Sequence, residues 1–382
     1  MRTALLGLAA LAALALAAPE ARAYPQFQLS TGADQCRQCH FSPGGGGLLN
    51  DYGRDEAGST ISMPEDGAIA DGRFLHGAWT PPASFQLGGD YRGAFGYKDT
   101  AIDDGEVLGF PMQIDLYVRP AVGPVSLNVT VGMRGVARAE QREGIELVDR
   151  LTSREHYVMY EPEEAGWYVR AGRFFPVFGL RTQDHTAYVR RYAGAHTLEE
   201  PYGVAYGRTS GSSELHVSAF TRPFADALGI GKDHGVAAYW ERRDDDLTHA
   251  MALQTRLTVS DVDRRALVGG VYKRWMEGSK LLVLAELDAG ARMVADSDTA
   301  LELIGHLGVT HMTRKGLMIG GAVQGHDGDL LLKNSHRLAV EGNVQVFPIA
   351  HLEAHLLLRA ETLGVDLGSP NLLALLQLHY YL

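Results

Sequence analysis

From about residue 83 to the last residue, apolar and polar positions alternate in segment after segment. This period of two, more than anything else in the sequence, constrains the fold. Successive side chains of a β-strand point to opposite faces, so each such segment has one apolar and one polar face. In the first, Phe85, Leu87, Gly89, Tyr91, Gly93, Phe95 and Tyr97 oppose Gln86, Gly88, Asp90, Arg92, Ala94 and Gly96. In another, Val125, Leu127, Val129, Val131 and Met133 oppose Ser126, Asn128, Thr130, Gly132 and Arg134. Further on, Leu281, Val283, Ala285, Leu287 and Ala289 oppose Lys280, Glu286 and Asp288. Leu338, Val340, Gly342, Val344 and Val346 oppose Arg337, Glu341, Asn343 and Gln345. A segment starting at Ala350 sets Ala350, Leu352, Ala354, Leu356 and Leu358 against His351, Glu353, His355, Arg359 and Glu361.

Such a pattern suits either a soluble sandwich, apolar face inward, or a membrane barrel, apolar face outward around a polar lumen. Three features favour the barrel. The polar faces carry charges of both signs, as a wet lumen would. The segments run ~10 residues, the length of a tilted membrane strand. The sequence stops inside an alternating segment, with Leu376, Leu378, Tyr380 and Leu382 against Gln377, His379 and Tyr381. The expected fold is therefore all-β: a transmembrane antiparallel barrel of about sixteen strands over residues 83–382, with a water-filled lumen. The run Arg170-Ala171-Gly172-Arg173-Phe174-Phe175-Pro176-Val177-Phe178-Gly179-Leu180-Arg181 resembles the strand-and-turn signature of anion-type porins. Residues 183–194, carrying Arg190 and Arg191, can then either fold into the pore as a constriction or form an ordinary extracellular loop.

Ahead of the barrel stands Cys36-Arg37-Gln38-Cys39-His40, which reads as a covalent attachment site for one haem c. Two thiols add to the two vinyl groups, and the adjacent His40 lies beneath the iron as its proximal ligand. These are the only two cysteines in the chain. A redox C-x-x-C belongs in a βαβ context, whereas this one sits in a Gly-rich stretch. Structural zinc needs four ligands, and there is no second Cys pair. A disulfide across two residues leaves His40 unexplained. Residues 1–23 have the build of a secretory signal, with Arg2, an Ala/Leu-rich core and Ala21-Arg22-Ala23 at its end. The apolar run is shorter than the ~20 residues of a spanning helix, so cleavage before Tyr24 is expected. Haem attachment then falls in the periplasm.

Residues 24–82 form the expected haem segment, irregular and rich in glycine around Ser42-Pro43-Gly44-Gly45-Gly46-Gly47. It is marginal in size for burying a haem by itself and is expected to borrow cover from the larger domain. Met63 and His76 are its candidates for a second axial ligand. In the barrel, His351, Glu353 and His355 share a face at strand spacing and can bind a metal ion only with further ligands from elsewhere. The other lumen histidines, His306 and His379, have the same status. Lys and Arg number 35 against 46 Asp and Glu, an acidic balance that argues against nucleic acid as a partner.

Taken together, the order of parts resembles the fused outer-membrane cytochrome–porins, in which a monohaem c-type segment precedes a porin-like barrel. The resemblance is specific over Phe27-x-x-x-Thr31-Gly32, Cys36-x-x-Cys39-His40 and Leu49-Asn50-x-Tyr52-Gly53-Arg54. It implies a Gram-negative outer-membrane protein that moves electrons between an extracellular donor or acceptor and a periplasmic carrier. Iron(II) oxidation at the cell surface is among that family's activities. The alternative is a solute-conducting porin whose haem segment serves as plug or sensor. The cysteine count excludes a multihaem peroxidase, and no distal acid/base pair is identifiable. Any enzyme activity is at most that of an oxidoreductase acting on an extracellular donor.

Overall fold

The computed structural model describes residues 27–100, 105–134, 151–162, 165–182, 184, 186–194, 200–222, 233–294, 297–364 and 370–382. The signal read at residues 1–23 lies outside them. Sixteen strands close into one antiparallel barrel. In chain order, β1–β4 are Phe85–Asp99, Glu106–Val122, Val125–Arg134 and Leu151–Tyr160. β5–β8 are Trp167–Arg173, Tyr202–Ser210, Ser213–Thr221 and Asp233–Arg243. β9–β12 are His249–Ser260, Asp263–Met276, Leu281–Val294 and Ala300–Arg314. β13–β16 are Leu317–Asp327, His336–Ile349, Leu352–Leu363 and Asn371–Tyr381. Each strand pairs with its sequence neighbours, and β1 closes on β16 with Tyr91 opposite Tyr380 and Phe95 opposite Leu376. Closure leaves no free edge, which is what lets a sheet cross a bilayer.

The facing of side chains decides between sandwich and barrel. Along β7, Glu214, His216 and Ser218 are buried while Leu215 and Val217 are exposed. A water-soluble sheet does the opposite. In β11, Glu286 and Asp288 point into the lumen while Leu287, between them, is 58% exposed. Apolar residues thus clothe the outside around the barrel, and the protein spans an outer membrane. Leu287→Arg, near the middle of β11, is expected to disfavour the membrane-inserted state by ~2–4 kcal/mol, read as a shift in equilibrium folding into vesicles. An unshifted transition would contradict the outward assignment.

One boundary differs from the sequence reading. Ala350 and His351 are the turn between β14 and β15, so the alternating run begins at Leu352. A two-residue hairpin turn requires positive φ, and His351 adopts φ 66°. The chain of residues 27–82 holds that turn: Ala350 N–H donates to Ile69 O at 2.9 Å.

The N-terminal segment is not irregular throughout. It contains a helical turn at Cys36–Cys39 (α1), a helix at Asp51–Glu56 (α2) continued by a wider π turn at Ala57–Ile61, and two short 3₁₀ turns. It occupies the end of the barrel where the connections are short, the periplasmic end in barrels of this kind. Gln28 Nε2 donates to Glu241 Oε1 at 2.8 Å, and Lys273 Nζ donates to Gln28 Oε1 at 2.6 Å. Met63 N–H donates to Phe347 O at 2.9 Å, and Lys315 Nζ to Pro64 O at 2.9 Å. Arg37 pairs with Glu161. Phe27 and Ile61 from the segment, Leu180 from the loop after β5, and Trp275 and Phe347 from the wall share one apolar cluster. A segment too small for its own core therefore uses the barrel's interior as one.

Candidate functional site

The Cys36–His40 motif is built by short-range bonds. His40 N–H donates to Cys36 O at 3.1 Å, closing the α1 turn. The chain then folds back through the glycines: Phe41 N–H donates to Leu48 O at 3.1 Å, and His40 bridges to Leu49. Gly45 has φ 76°, and a Cβ there would stand 3.3 Å from Cys36 Cβ and 3.5 Å from its sulfur. The glycine run is therefore packed over the cysteine.

The second motif locks the first. Asn50 N–H donates to Cys39 O at 3.0 Å. Its side chain caps α2 by accepting from Gly53 N–H at 3.0 Å and donates to Arg37 O at 3.1 Å. A Cβ on Gly53 would lie 2.2 Å from Cys39 O, so no larger residue fits without moving the cysteine. Arg54 Nη1 reaches the barrel, donating to Gln86 Oε1 at 3.2 Å. The Leu49–Arg54 stretch thus serves as a bracket between the cysteines and β1.

Above the motif lies a cavity of about 290 Å³, at the lower end of the range for small-molecule and cofactor sites. Cys36, Cys39 and His40 line one side of it, luminal wall residues its flanks, and Phe178, Leu180, Arg181, Val189 and Arg190 of the loop after β5 another side. That loop folds into the pore. Gly179 N–H donates to Gln254 Oε1 at 2.7 Å, Leu180 N–H to Glu286 Oε2 at 2.7 Å, and Tyr188 N–H to Gln324 Oε1 at 2.6 Å. It crosses from β5 to β9, β11 and β13, carrying the helical turn Tyr188–Arg191 (α3). Of the two readings for residues 183–194, the constriction describes the placed residues; Gln183 and His185 lie outside the described set.

The cavity mixes apolar cover from Leu49, Phe178, Leu180 and Val189 with cations. Arg154 is bound to Glu200 at 2.9 Å and Asp115 at 3.3 Å, and Lys273 to Glu241 at 2.6 Å. Burial pushes His40 down to about 4, against a raising contribution from the Gly47 and Gly46 backbone, so its imidazole is neutral near pH 7. Its Nδ1 makes no hydrogen bond. Burial, then the neighbouring Cys36, pushes the Cys39 thiol up to about 12. A neutral imidazole with an unsatisfied ring nitrogen, two free thiols one turn apart and an apolar roof with cations fit a covalently held haem.

Neither Met63 nor His76 lines this cavity. Met63 packs against the β12–β13 turn, where a Cβ on Gly316 would meet its Cγ at 2.2 Å. His76 stacks edge-on against His351, with ring centres 5.3 Å apart. The His351, Glu353 and His355 set does not converge either. His351 faces the N-terminal segment, with Nε2 3.3 Å from Arg73 O, while Glu353 accepts from Gln345 at 2.9 Å. His379 lines the cavity, but its ring is engaged by Asp90 at 3.0 Å and Glu353 at 3.1 Å. Among the described residues, no three His, Cys, Asp or Glu side chains form a metal-holding group. The wall and loop residues that complete the cavity, such as Arg154, Phe178 and Lys273, carry no local sequence signal; only the barrel brings them to the cysteines.

A closed sixteen-strand barrel has counterparts among solved structures. The fold is that of the outer-membrane porins. OprB of Pseudomonas putida is 11% identical, with a TM-score of 0.60 over 78% of this chain and 94% of its own. Salmonella typhi OmpF, solved in complex with daunomycin, is 11% identical, with a TM-score of 0.60 over 78% of this chain and 97% of its own. The anion-selective porin of Comamonas acidovorans is 10% identical, with a TM-score of 0.55 over 78% and 99%. No family model and no curated protein matches the sequence.

Proposed function

We propose that this protein passes electrons across the outer membrane through one haem c housed in a porin-type barrel. The observation that carries the reading is the facing of Cys36, Cys39 and His40 into a cavity enclosed by the barrel wall and the inward loop. Cys36 and Cys39 would hold the haem as thioethers, with the His40 imidazole as its axial nitrogen. The cofactor supplies the one-electron couple. The chain supplies its setting: Phe178 and Leu180 exclude water, the buried cations fix the local field, and the segment's bonds to Glu241 and Lys273 fix its depth. An extracellular donor, iron(II) in the family resemblance, would deliver electrons from the loop side. A periplasmic carrier would collect them at the short-turn end.

Intact-mass measurement on protein made in a host that matures c-type cytochromes tests this. One haem is expected on the chain beginning at Tyr24, and a Cys36→Ala/Cys39→Ala double variant should lack it. Wild-type protein with the mass of bare polypeptide would contradict the reading.

The fold likeness to porins, one of them described as anion-selective, favours a second reading: a solute channel with residues 24–82 as plug or sensor. The two differ in whether the intact chain conducts ions.

A further inference from the structure

Arg181 is held in an unusual backbone position, and its guanidinium has only distant partners. It is a non-glycine residue in left-handed backbone, φ 55°, a conformation that strains an L side chain. The bonds of Gly179 to Gln254 and Leu180 to Glu286, just before it, fix the chain there. Its side chain is only 13% exposed and borders the same cavity as Cys36, Cys39 and His40. None of its three guanidinium nitrogens makes a hydrogen bond. The closest carboxylate oxygen, Glu214 Oε1, stands 3.9 Å away, and the guanidinium carbon lies over the Tyr239 ring at 5.1 Å. Its cationic neighbours are already engaged: Arg154 by two carboxylates, Lys273 by Glu241, and Arg190 by Thr182 O at 2.7 Å. A buried guanidinium without hydrogen bonds is destabilising, and its planar fork fits a carboxylate with two parallel bonds.

The geometry points to Arg181 as the residue that pairs with a carboxylate of the cavity's ligand, which for a covalently attached haem is a propionate. This rests on the haem reading above and adds the residue that sets the ligand's charge environment. Thioethers at Cys36 and Cys39 would hold a haem from the N-terminal segment, and Arg181 would hold a carboxylate of it from the inward loop. Arg181 is thus a positioning residue, tying the constriction loop to the group held by the N-terminal segment. A fixed positive charge beside the macrocycle stabilises its reduced, less positive state.

The test is redox titration of the full-length protein, with intact mass measured on every sample. Arg181→Gln should retain covalent haem, shift the midpoint potential downward and alter the propionate bending modes in resonance Raman spectra. Arg181→Lys should keep most of the potential but lose the bidentate signature. Glu214→Gln, which removes the competing carboxylate, should shift the potential upward and serves as the second arm if Arg181→Gln assembles poorly. Haem attached with potential and propionate modes unchanged in both neutral variants would overturn the Arg181 assignment and leave the haem reading intact. Wild-type protein without haem would instead remove the reading beneath it.

Discussion

Removing residues 27–82 is expected to turn a closed barrel into an open one. In planar bilayers the full-length protein should show no resolved openings, and the truncated protein discrete steps. The segment spans the lumen at its short-turn end and is bonded to β8, β10 and β14 through Glu241, Lys273 and Phe347. Its Phe27 and Ile61 lie in the same apolar cluster as Trp275 and Phe347, so the lumen there is core rather than water. The inward loop is fixed to the wall both by bonds to polar residues and by an apolar cluster in which Phe178, Tyr188 and Val189 meet Phe220, Leu267 and Ile304. A single substitution probes the same contact. Lys273→Ala removes the closest cation from buried Glu241 and the bond to Gln28, leaving the longer 3.4 Å contact with Arg243 as Glu241's ion pair, at an expected cost to the docked state toward the lower end of ~3–5 kcal/mol. The readout is faster proteolysis of the segment in otherwise intact barrels. Full-length protein that conducts as freely as the truncated form would favour the solute-channel reading.

How much of this was legible in the sequence follows from which forces act locally. Strand facing was legible because lipid and lumen impose opposite chemistry on adjacent residues. Leu287 and Asp288 could be assigned without knowing any partner strand. The turn at Ala350–His351 was missed because alternation of residue type carries no record of backbone sign. His351 alternates like a strand residue yet turns at φ 66° under a contact from residue 69. The Leu49–Arg54 motif was visible as a pattern, but its purpose needed geometry. Gly53 is glycine because Cys39 O lies against it. Met63 and His76 were singled out by residue type alone, and tertiary packing uses both elsewhere. Arg181 stood within a recognised run, but only the inward fold of its loop brings it to the cavity of Cys36, about 145 residues away in sequence, with the intervening span routed through the barrel.

That last distance is the reason the cavity cannot be assigned to either part of the chain. Residues of the N-terminal segment and of the inward loop both line it, so function is expected to require both. Electron passage should therefore fail when the thiols are removed, even though the barrel remains closed and correctly folded.

Proteoliposomes carrying the full-length chain, with an oxidised soluble electron acceptor trapped inside and a membrane-impermeant reductant outside, test this most directly. Wild-type protein is expected to reduce the trapped acceptor. The Cys36→Ala/Cys39→Ala variant, inserted to the same extent, should fall to the leak of protein-free vesicles. Equal rates for the two proteins, or no rate above leak for haem-bearing wild type, would contradict it.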